Sequence, residues 1–132
     1  MSHHAIDHMS LSVKDFARAK DFYAKALAPL GWTLVMEVPA ELTGTVDGAG
    51  FGVGGKPFLW LAGGGKQTPH AHIAFGVETR AEVDAFYEAA IAAGGKDNGP
   101  PGIREMYHPN YYGAFVWDPE GHNIEAVCHA PE

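Results

Sequence analysis

The chain is poor in cysteine and in positive charge. Cys128 is its only cysteine, which excludes a disulfide within the chain and favours a reducing environment. Nine lysine and arginine residues stand against 16 aspartate and glutamate residues, and they form no basic run. Because a protein that binds the phosphate backbone needs a clustered basic surface, the net charge of -7 at pH 7 argues against a nucleic acid partner.

Long apolar segments are lacking as well. No run approaches the roughly 18 residues of a membrane span, and the N-terminal residues do not show the basic and then apolar pattern of a signal peptide. We therefore expect a cytoplasmic protein that has no membrane partner. The 132 residues, 46% of them hydrophobic, suffice for one globular domain with its own core. His3 and His4 are assigned no function.

The sequence contains an internal repeat. The window from His8 to Gly31 aligns without gaps on the window from His72 to Gly95, at an offset of 64 residues and with eight identities in 24 positions. A histidine opens each copy, and Glu125 follows the second histidine by 53 residues. This pattern indicates that one folding unit is used twice and that its two copies enclose one shared site.

Each copy of the repeat opens with a strand pattern. Apolar and other residues alternate over 5–13 and again over 70–77, which is typical of a strand with one apolar face. In both segments the histidine, His8 or His72, falls on the face opposite the apolar one. The two histidines are therefore predicted to face away from the core.

A helix is predicted after each of these strands. Asp15 is placed to cap a helix over 16–30, and Thr79 forms a capping box with Glu82 at the start of the second helix. Glycines suited to a left-handed C-terminal cap follow both helices: Gly31, Gly94 and Gly95.

Short segments bounded by turns predict three further strands in each copy. They lie at 32–38, 50–53 and 57–62 in the first copy and at 95–97, 112–118 and 123–128 in the second. Each copy then reads β-α-β-β-β, and the fold class is α+β. We expect a single domain over 1–132, with module one at about 5–62, a linker at about 63–69 and module two at about 70–129. The simplest packing places helices on the outer face and the histidines in a concavity.

Two histidines and one carboxylate are a typical ligand set for a divalent metal. Glu125 stands between Ile124 and Ala126, so strand alternation directs its carboxylate away from those apolar neighbours, as it does for His8 and His72. Such a triad suits Fe(II), and Mn, Co, Ni and Zn are also feasible. The alternative is that the histidines are satisfied locally within their strands and the glutamate is solvated.

Three segments resemble the vicinal oxygen chelate superfamily: IDHMSLSV at 6–13, HIAF at 72–75 and FVWDPEGHNIE at 115–125. That superfamily includes glyoxalase I, extradiol dioxygenases, fosfomycin-resistance thiol transferases, epimerases and bleomycin-binding proteins. The resemblance implies two tandem modules that form a cupped mixed sheet around a divalent metal. It also implies that His8, His72 and Glu125 are the metal ligands.

The sequence departs from glyoxalase I at the last strand of module one. Glyoxalase I has a further carboxylate there, whereas the segment 58–61 reads FLWL, so methylglyoxal chemistry is not expected. The three-ligand pattern is more similar to the extradiol dioxygenases and the fosfomycin-resistance enzymes. A phosphonate substrate needs several positive donors, and lysine and arginine are sparse here.

We therefore expect a metal-dependent enzyme that acts on a small molecule with vicinal oxygens, by lyase, isomerase or extradiol-type dioxygenase chemistry. His108, Tyr111 and Tyr112 are the candidates for catalytic proton transfer, although this loop could instead serve aromatic packing. Ser10 and Trp60 are the candidates for substrate binding.

Two questions of function and assembly stay open at this level. The alternative function is that of a metal-free protein that sequesters a drug or metabolite, as the bleomycin-resistance relatives do. The resemblance also implies a homodimer, in which the modules either pair within one chain or exchange between two chains.

Overall fold

The structure is a computed structural model and describes residues 6–132. The start of the predicted first strand at Ala5, and also His3 and His4, lie outside these residues. Residues 6–132 contain three α-helices: α1 (Phe16–Ala26), α2 (Ala40–Thr43) and α3 (Arg80–Ala92). The strands are β1 (Met9–Ser12), β2 (Thr33–Val38), β3 (Gly48–Val53), β4 (Lys56–Ala62), β5 (His72–Val77), β6 (Lys96–Asp97), β7 (Gly102–Ile103), β8 (Tyr112–Trp117) and β9 (Asn123–Cys128).

These strands form two sheets with the same internal order. The first sheet runs β1-β4-β3-β2 and the second runs β5-β9-β8-β6, with β7 paired to β8. In each sheet the first strand pairs in parallel with the last strand of its module, and the other pairs are antiparallel. The predicted α+β fold, built from two β-α-β-β-β modules, is confirmed.

The first helix is shorter than its sequence pattern predicts. The prediction extends it to Leu30, but α1 ends at Ala26 and a 3-10 turn follows over 28–30. Pro29 causes this change, because it has no N–H to donate to the carbonyl one turn earlier. Gly31 caps the end of this turn, as predicted, with φ at 79° in the left-handed region.

The helix α3, which is the helix predicted for the second copy of the repeat, follows its prediction closely. The Thr79 side chain accepts from the Glu82 N–H, while the Glu82 carboxylate accepts from the Thr79 N–H, which completes the capping box. Gly94 ends the helix with φ at 105°. The sequence patterns did not predict α2 or β7, because elements of four and two residues are too short to show a periodicity.

The residues that recur in the two copies of the repeat include core residues. Phe22 and its equivalent Phe86 are fully buried, as are Ala26 and Ala90. Each buried phenylalanine contributes about 1.5–3 kcal/mol through the apolar area removed from water. One continuous core lies between the helices and the apolar faces of both sheets; its largest members include Leu11, Tyr23, Phe51, Leu61 and Ile124. Among residues 6–132, no helix has the length and apolar character needed to cross a membrane.

The turn between β8 and β9 links module two to module one. The Glu120 carboxylate accepts from the N–H groups of Lys14 and Asp15, both at 2.8 Å, at the start of α1. A negative charge at a helix N-terminus is favourable because of the helix dipole. The buried hydroxyl of Tyr23 donates to Asp118 at 2.5 Å. These contacts fix the orientation of the two modules relative to each other.

The linker between the two modules pairs with the end of β1. The Thr68 hydroxyl accepts from the Ser12 N–H at 2.7 Å, and the Thr68 N–H donates to the Ser12 carbonyl at 2.8 Å. Further along this junction, the ring of Trp32 meets the ring of Phe75 edge to face, with centroids 5.0 Å apart. Because β1 and β5 are both edge strands, a cleft runs between the two sheets along them.

Candidate metal centre between the modules

A buried carboxylate lies on the face of the second sheet that is turned away from the core. Glu125 on β9 is only 1% exposed, and its Oε1 lies 2.7 Å from Nε2 of His72 on β5. The parallel register sets Ala74 opposite Glu125, so His72 reaches the carboxylate from two residues along its strand. The His72 side chain is 50% exposed. The pair therefore places a buried carboxylate beside the imidazole of a half-exposed histidine.

Tyr111 holds the other oxygen of this carboxylate. Its hydroxyl donates to Oε2 of Glu125. Burial, followed by the hydrogen bond to Glu125, raises the pKa of Tyr111 well above its ordinary value, so the phenol stays protonated and remains a donor. Both oxygens of the buried carboxylate thus have partners, as a buried charge requires.

Two histidines support the ring of Tyr111. The ring centroids of His108 and His129 lie 5.5 and 5.3 Å from that of Tyr111, both close to perpendicular. His108 Nδ1 accepts from the Asn110 N–H at 3.1 Å, so Nε2 carries the hydrogen and donates to His129 Nδ1 at 2.8 Å. His108 therefore contacts the tyrosine and not the carboxylate.

His8 lies immediately before β1 and is oriented by its neighbour in sequence. Its Nδ1 is 2.7 Å from Oδ2 of Asp7, and the Lys56 ammonium lies 2.9 Å from the same oxygen. The hydrogen bonds from Lys56 and then from His8 lower the pKa of Asp7, so the carboxylate is charged at neutral pH. With Nδ1 donating to Asp7, Nε2 of His8 remains available as a ligand atom.

The structure brings together two of the three predicted metal ligands. His8 lines the module-one side of the cleft, which has a volume of about 200 Å³, and Ala74 and Gly76 of β5 line the other side. Residues 6–132 contain no group of three metal-ligating side chains close enough to hold an ion. The pair formed by His72 and Glu125 is thus in contact, whereas His8 bonds to Asp7 and lines a cleft that neither member of the pair lines.

Both predicted substrate-binding residues lie on the same face of module one as His8. Ser10 and Trp60 are register partners on β1 and β4, and they line a second cavity of about 300 Å³ together with His8. Gly50 lets the indole lie on the sheet, because a Cβ at this position would come within 3.1 Å of the Trp60 ring. A flat aromatic surface therefore lies beside the imidazole of His8.

The side chain of Tyr112 on β8 lies on one face of the second sheet, and that of Glu125 on β9 lies on the other face. Its hydroxyl donates to Asp84 on α3 at 2.6 Å, and the Arg80 guanidinium lies 5.1 Å from its ring centre. The hydrogen bond to Asp84 and burial raise the pKa of Tyr112 to about 12. Alternation along the strand explains the placement. Phe115 is the register partner of Glu125 and shares its face, and Tyr112, three residues earlier, is on the other face. Tyr112 therefore packs against the outer helix and does not reach the site.

Three residues near the site were not predicted from the sequence. Asp7 could have been found, because it directly precedes a candidate ligand histidine. His129 gives no signal in the sequence, because only the fold brings it to His108. Arg104 lies over the ring of Phe115, and nothing in its glycine- and proline-rich loop signals that position.

Comparison with known proteins identifies the family. The family model of the Glyoxalase/Bleomycin resistance protein/Dioxygenase superfamily matches residues 5–126, and the chain belongs to this superfamily. The sequence resemblance to the vicinal oxygen chelate proteins is thereby confirmed. No curated protein sequence matches the chain.

Solved structures share the fold. A glyoxalase/bleomycin resistance protein from Albidiferax ferrireducens is 26% identical, with a TM-score of 0.74 over 95% of this chain and 98% of that one. Glyoxalase I from Zea mays is 21% identical, with a TM-score of 0.73 over 96% of this chain but only 45% of the maize protein. A mutant of the fosfomycin resistance protein FosX from Listeria monocytogenes, complexed with Mn(II) and a dihydroxypropylphosphonic acid, is 18% identical, with a TM-score of 0.70 over 98% of this chain and 95% of that one. At such identities the last two show the fold alone.

Proposed function

We propose that this protein is a divalent-metal-dependent enzyme that acts on a small molecule with vicinal oxygens, by lyase, isomerase or extradiol-type dioxygenase chemistry. The observation that carries the proposal is the contact of 2.7 Å between His72 and the buried carboxylate of Glu125. A carboxylate that is 1% exposed is costly unless a positive partner or several donors compensate it. His72 and Tyr111 give its two oxygens hydrogen-bond partners, and a divalent cation beside His72 would add a positive charge to these contacts.

The donor set fits a divalent transition metal. An imidazole nitrogen and a carboxylate oxygen suit Fe, Mn, Co, Ni and Zn alike. In this proposal His72 and Glu125 hold the metal from module two, and His8, whose Nδ1 keeps its bond to Asp7, supplies the third ligand through Nε2. When bound, the metal acts as a Lewis acid on the oxygens of the substrate.

The remaining groups of the site act on the ligands and on the substrate. Tyr111 is a positioning residue, because its hydroxyl holds one carboxylate oxygen and leaves the other beside His72. His108, hydrogen-bonded to the exposed His129, is the candidate for proton exchange with solvent next to the site. The Trp60 indole offers a surface for an apolar or aromatic part of the substrate.

Metal content tests the ligand assignment. We expect near-stoichiometric metal in untagged protein purified without chelator, and its loss in His8→Ala, His72→Ala and Glu125→Gln. The matched control is His70→Ala, since His70 precedes His72 by two residues but bonds to the Gly121 carbonyl. Elemental analysis that finds equal metal in Glu125→Gln and in the wild type would contradict the assignment.

A metal-free binding protein is the second candidate function. It is favoured by the cavity beside Trp60, which is lined mainly by apolar groups, and by the net charge of -7, which would attract a cationic drug. If the wild type takes up none of Fe(II), Mn, Co, Ni or Zn in calorimetric titrations, this function takes precedence over the enzyme.

We also propose that the protein forms a homodimer. The edge strand β2 exposes Leu34 and Met36, and α2 next to it exposes Leu42. Exposed apolar groups on an edge strand are a surface that a second copy can cover. Light scattering after size exclusion should give twice the chain mass, and a mass near 14.1 kDa would exclude the dimer.

A further inference from the structure

Arg104 has three contacts that orient its guanidinium beside Phe115 in module two. One terminal nitrogen, Nη1, donates to the Gly102 carbonyl at 2.9 Å, and Nη2 donates to the Pro100 carbonyl at 2.7 Å. The guanidinium carbon lies 5.3 Å from the ring centre of Phe115, which is within cation–π range. Three contacts thus fix the planar group in one orientation.

The loop sequence leaves space for this arrangement. A Cβ at Gly99 would approach Nη2 of Arg104 to 3.0 Å, and one at Gly102 would approach Nη1 to 3.2 Å. Gly99 also has φ at 144°, a conformation that other residues rarely adopt. The glycines therefore permit the close approach of the loop backbone to the guanidinium.

Phe115 connects this cation to the proposed metal ligands. It is the register partner of Glu125, and its ring centroid lies 6.2 Å from that of His72. Arg104 and His72 thus both contact the Phe115 ring on the face that carries Glu125.

Arg104 retains hydrogen-bonding capacity for a ligand. Each backbone carbonyl occupies one hydrogen on a terminal nitrogen, so each terminal nitrogen keeps a second hydrogen. Its hydrogen-bond partners in the described structure are carbonyls, and none of the ion pairs found among residues 6–132 includes Arg104. A fixed, charged donor without a carboxylate partner is suited to bind an anion.

We propose that Arg104 binds a carboxylate group of the substrate, so that the substrate class is a small carboxylic acid that also carries the vicinal oxygens. The metal-chelating half of this statement rests on the proposed function, whereas the carboxylate half rests on Arg104 alone. A single guanidinium balances one negative charge, which fits a carboxylate better than a phosphonate dianion. Because the chain has a net charge of -7 and repels anions overall, an anionic substrate needs a local positive charge such as that of Arg104.

The binding of a carboxylate by Arg104 can be tested on metal-free protein with benzoate and its neutral analogue benzamide. We expect benzoate to bind the wild type more tightly than benzamide, and to bind Arg104→Gln at least about tenfold more weakly than the wild type, while benzamide binds both equally. Arg18→Gln is the matched control, because Arg18 lies exposed on α1 and outside the site. Arg104→Lys should recover only part of the affinity, since lysine keeps the charge but loses the planar fork.

Amide chemical shifts of the wild type make the test independent of how the variants fold. Benzoate should shift the amide signals of Gly99, Gly102 and Phe115. The proposal is overturned if benzoate shifts only amides elsewhere, if it binds no better than benzamide, or if Arg104→Gln retains the wild-type affinity. The metal content of Arg104→Gln should equal that of the wild type, so failure of the metal assignment and failure of the carboxylate site are separate results.

Discussion

Removal of a single oxygen atom, in Tyr111→Phe, tests whether Glu125 is a buried and compensated carboxylate. The variant keeps the aromatic ring between His108 and His129 but deletes the hydroxyl that donates to Oε2. Water cannot replace that donor readily, because Glu125 is 1% exposed. A hydrogen bond to a charged group is worth about 1.5–3 kcal/mol, and a buried acceptor left without its donor loses that amount in full.

We therefore expect Tyr111→Phe to lower the free energy of unfolding by about 2–3 kcal/mol at neutral pH in urea titrations of metal-free protein. Tyr107→Phe is the control, since Tyr107 is 60% exposed, and its change should stay within about 0.5 kcal/mol. A double-mutant cycle with Glu125→Gln should show coupling between the two positions. A loss below about 0.5 kcal/mol in Tyr111→Phe, or no coupling in the cycle, would refute the reasoning.

Two further predictions concern the orientation of His8 and the buried Tyr23. Asp7→Ala should weaken metal binding about 10–100-fold in calorimetric titrations, because His8 loses the acceptor that fixes its Nδ1 hydrogen. Burial, followed by the charge of Asp118, raises the pKa of Tyr23 well above 10, so the folded state keeps this proton more tightly than the unfolded state. Stability should therefore be fully present below about pH 10 and fall as the pH rises beyond it, by up to about 1.36 kcal/mol per pH unit, with a smaller slope in Tyr23→Phe.

Each of these predictions has a matched control. Asp21→Ala removes an exposed aspartate that pairs with Lys25 on α1, and it should leave metal binding unchanged. Equal metal affinities in Asp7→Ala and Asp21→Ala would show that Asp7 does not position His8. For the pH series, Tyr107→Phe should keep the wild-type slope, and a wild-type slope in Tyr23→Phe would remove Tyr23 as the source of the alkaline loss.

Much of the fold could be predicted because the repeat marks the core. Residues that recur at the same offset, such as Phe22 and Phe86, are those that the fold buries. Strand alternation was sufficient to place His72 and Glu125 on one face, since the period of two is set by the backbone itself. Helix ends were less certain, as the early end of α1 before Pro29 shows, because apolar periodicity continued past a residue that breaks the hydrogen-bond ladder.

The functional loop could not be predicted in the same way. Tyr111 and Tyr112 are adjacent, and the sequence alone does not reveal which of them faces the carboxylate, because that depends on where the loop passes into β8. The contact of His108 with His129 joins positions 21 apart, and the position of Arg104 depends on two backbone carbonyls in its own loop. Contacts of this kind follow from loop conformation and leave no periodic signal.

The register of the two sheets shows how the duplicated unit has diverged. Ser10 and Ala74 are equivalent in the repeat; Ser10 is opposite Trp60 on β4, and Ala74 is opposite Glu125 on β9. Trp60 therefore occupies in module one the place that the carboxylate occupies in module two. A symmetric pair of modules would offer a carboxylate from each side, whereas this chain offers a carboxylate from one side and an indole from the other. The same geometry thus yields an asymmetric cup, in which module two is built for charge and module one for apolar contact.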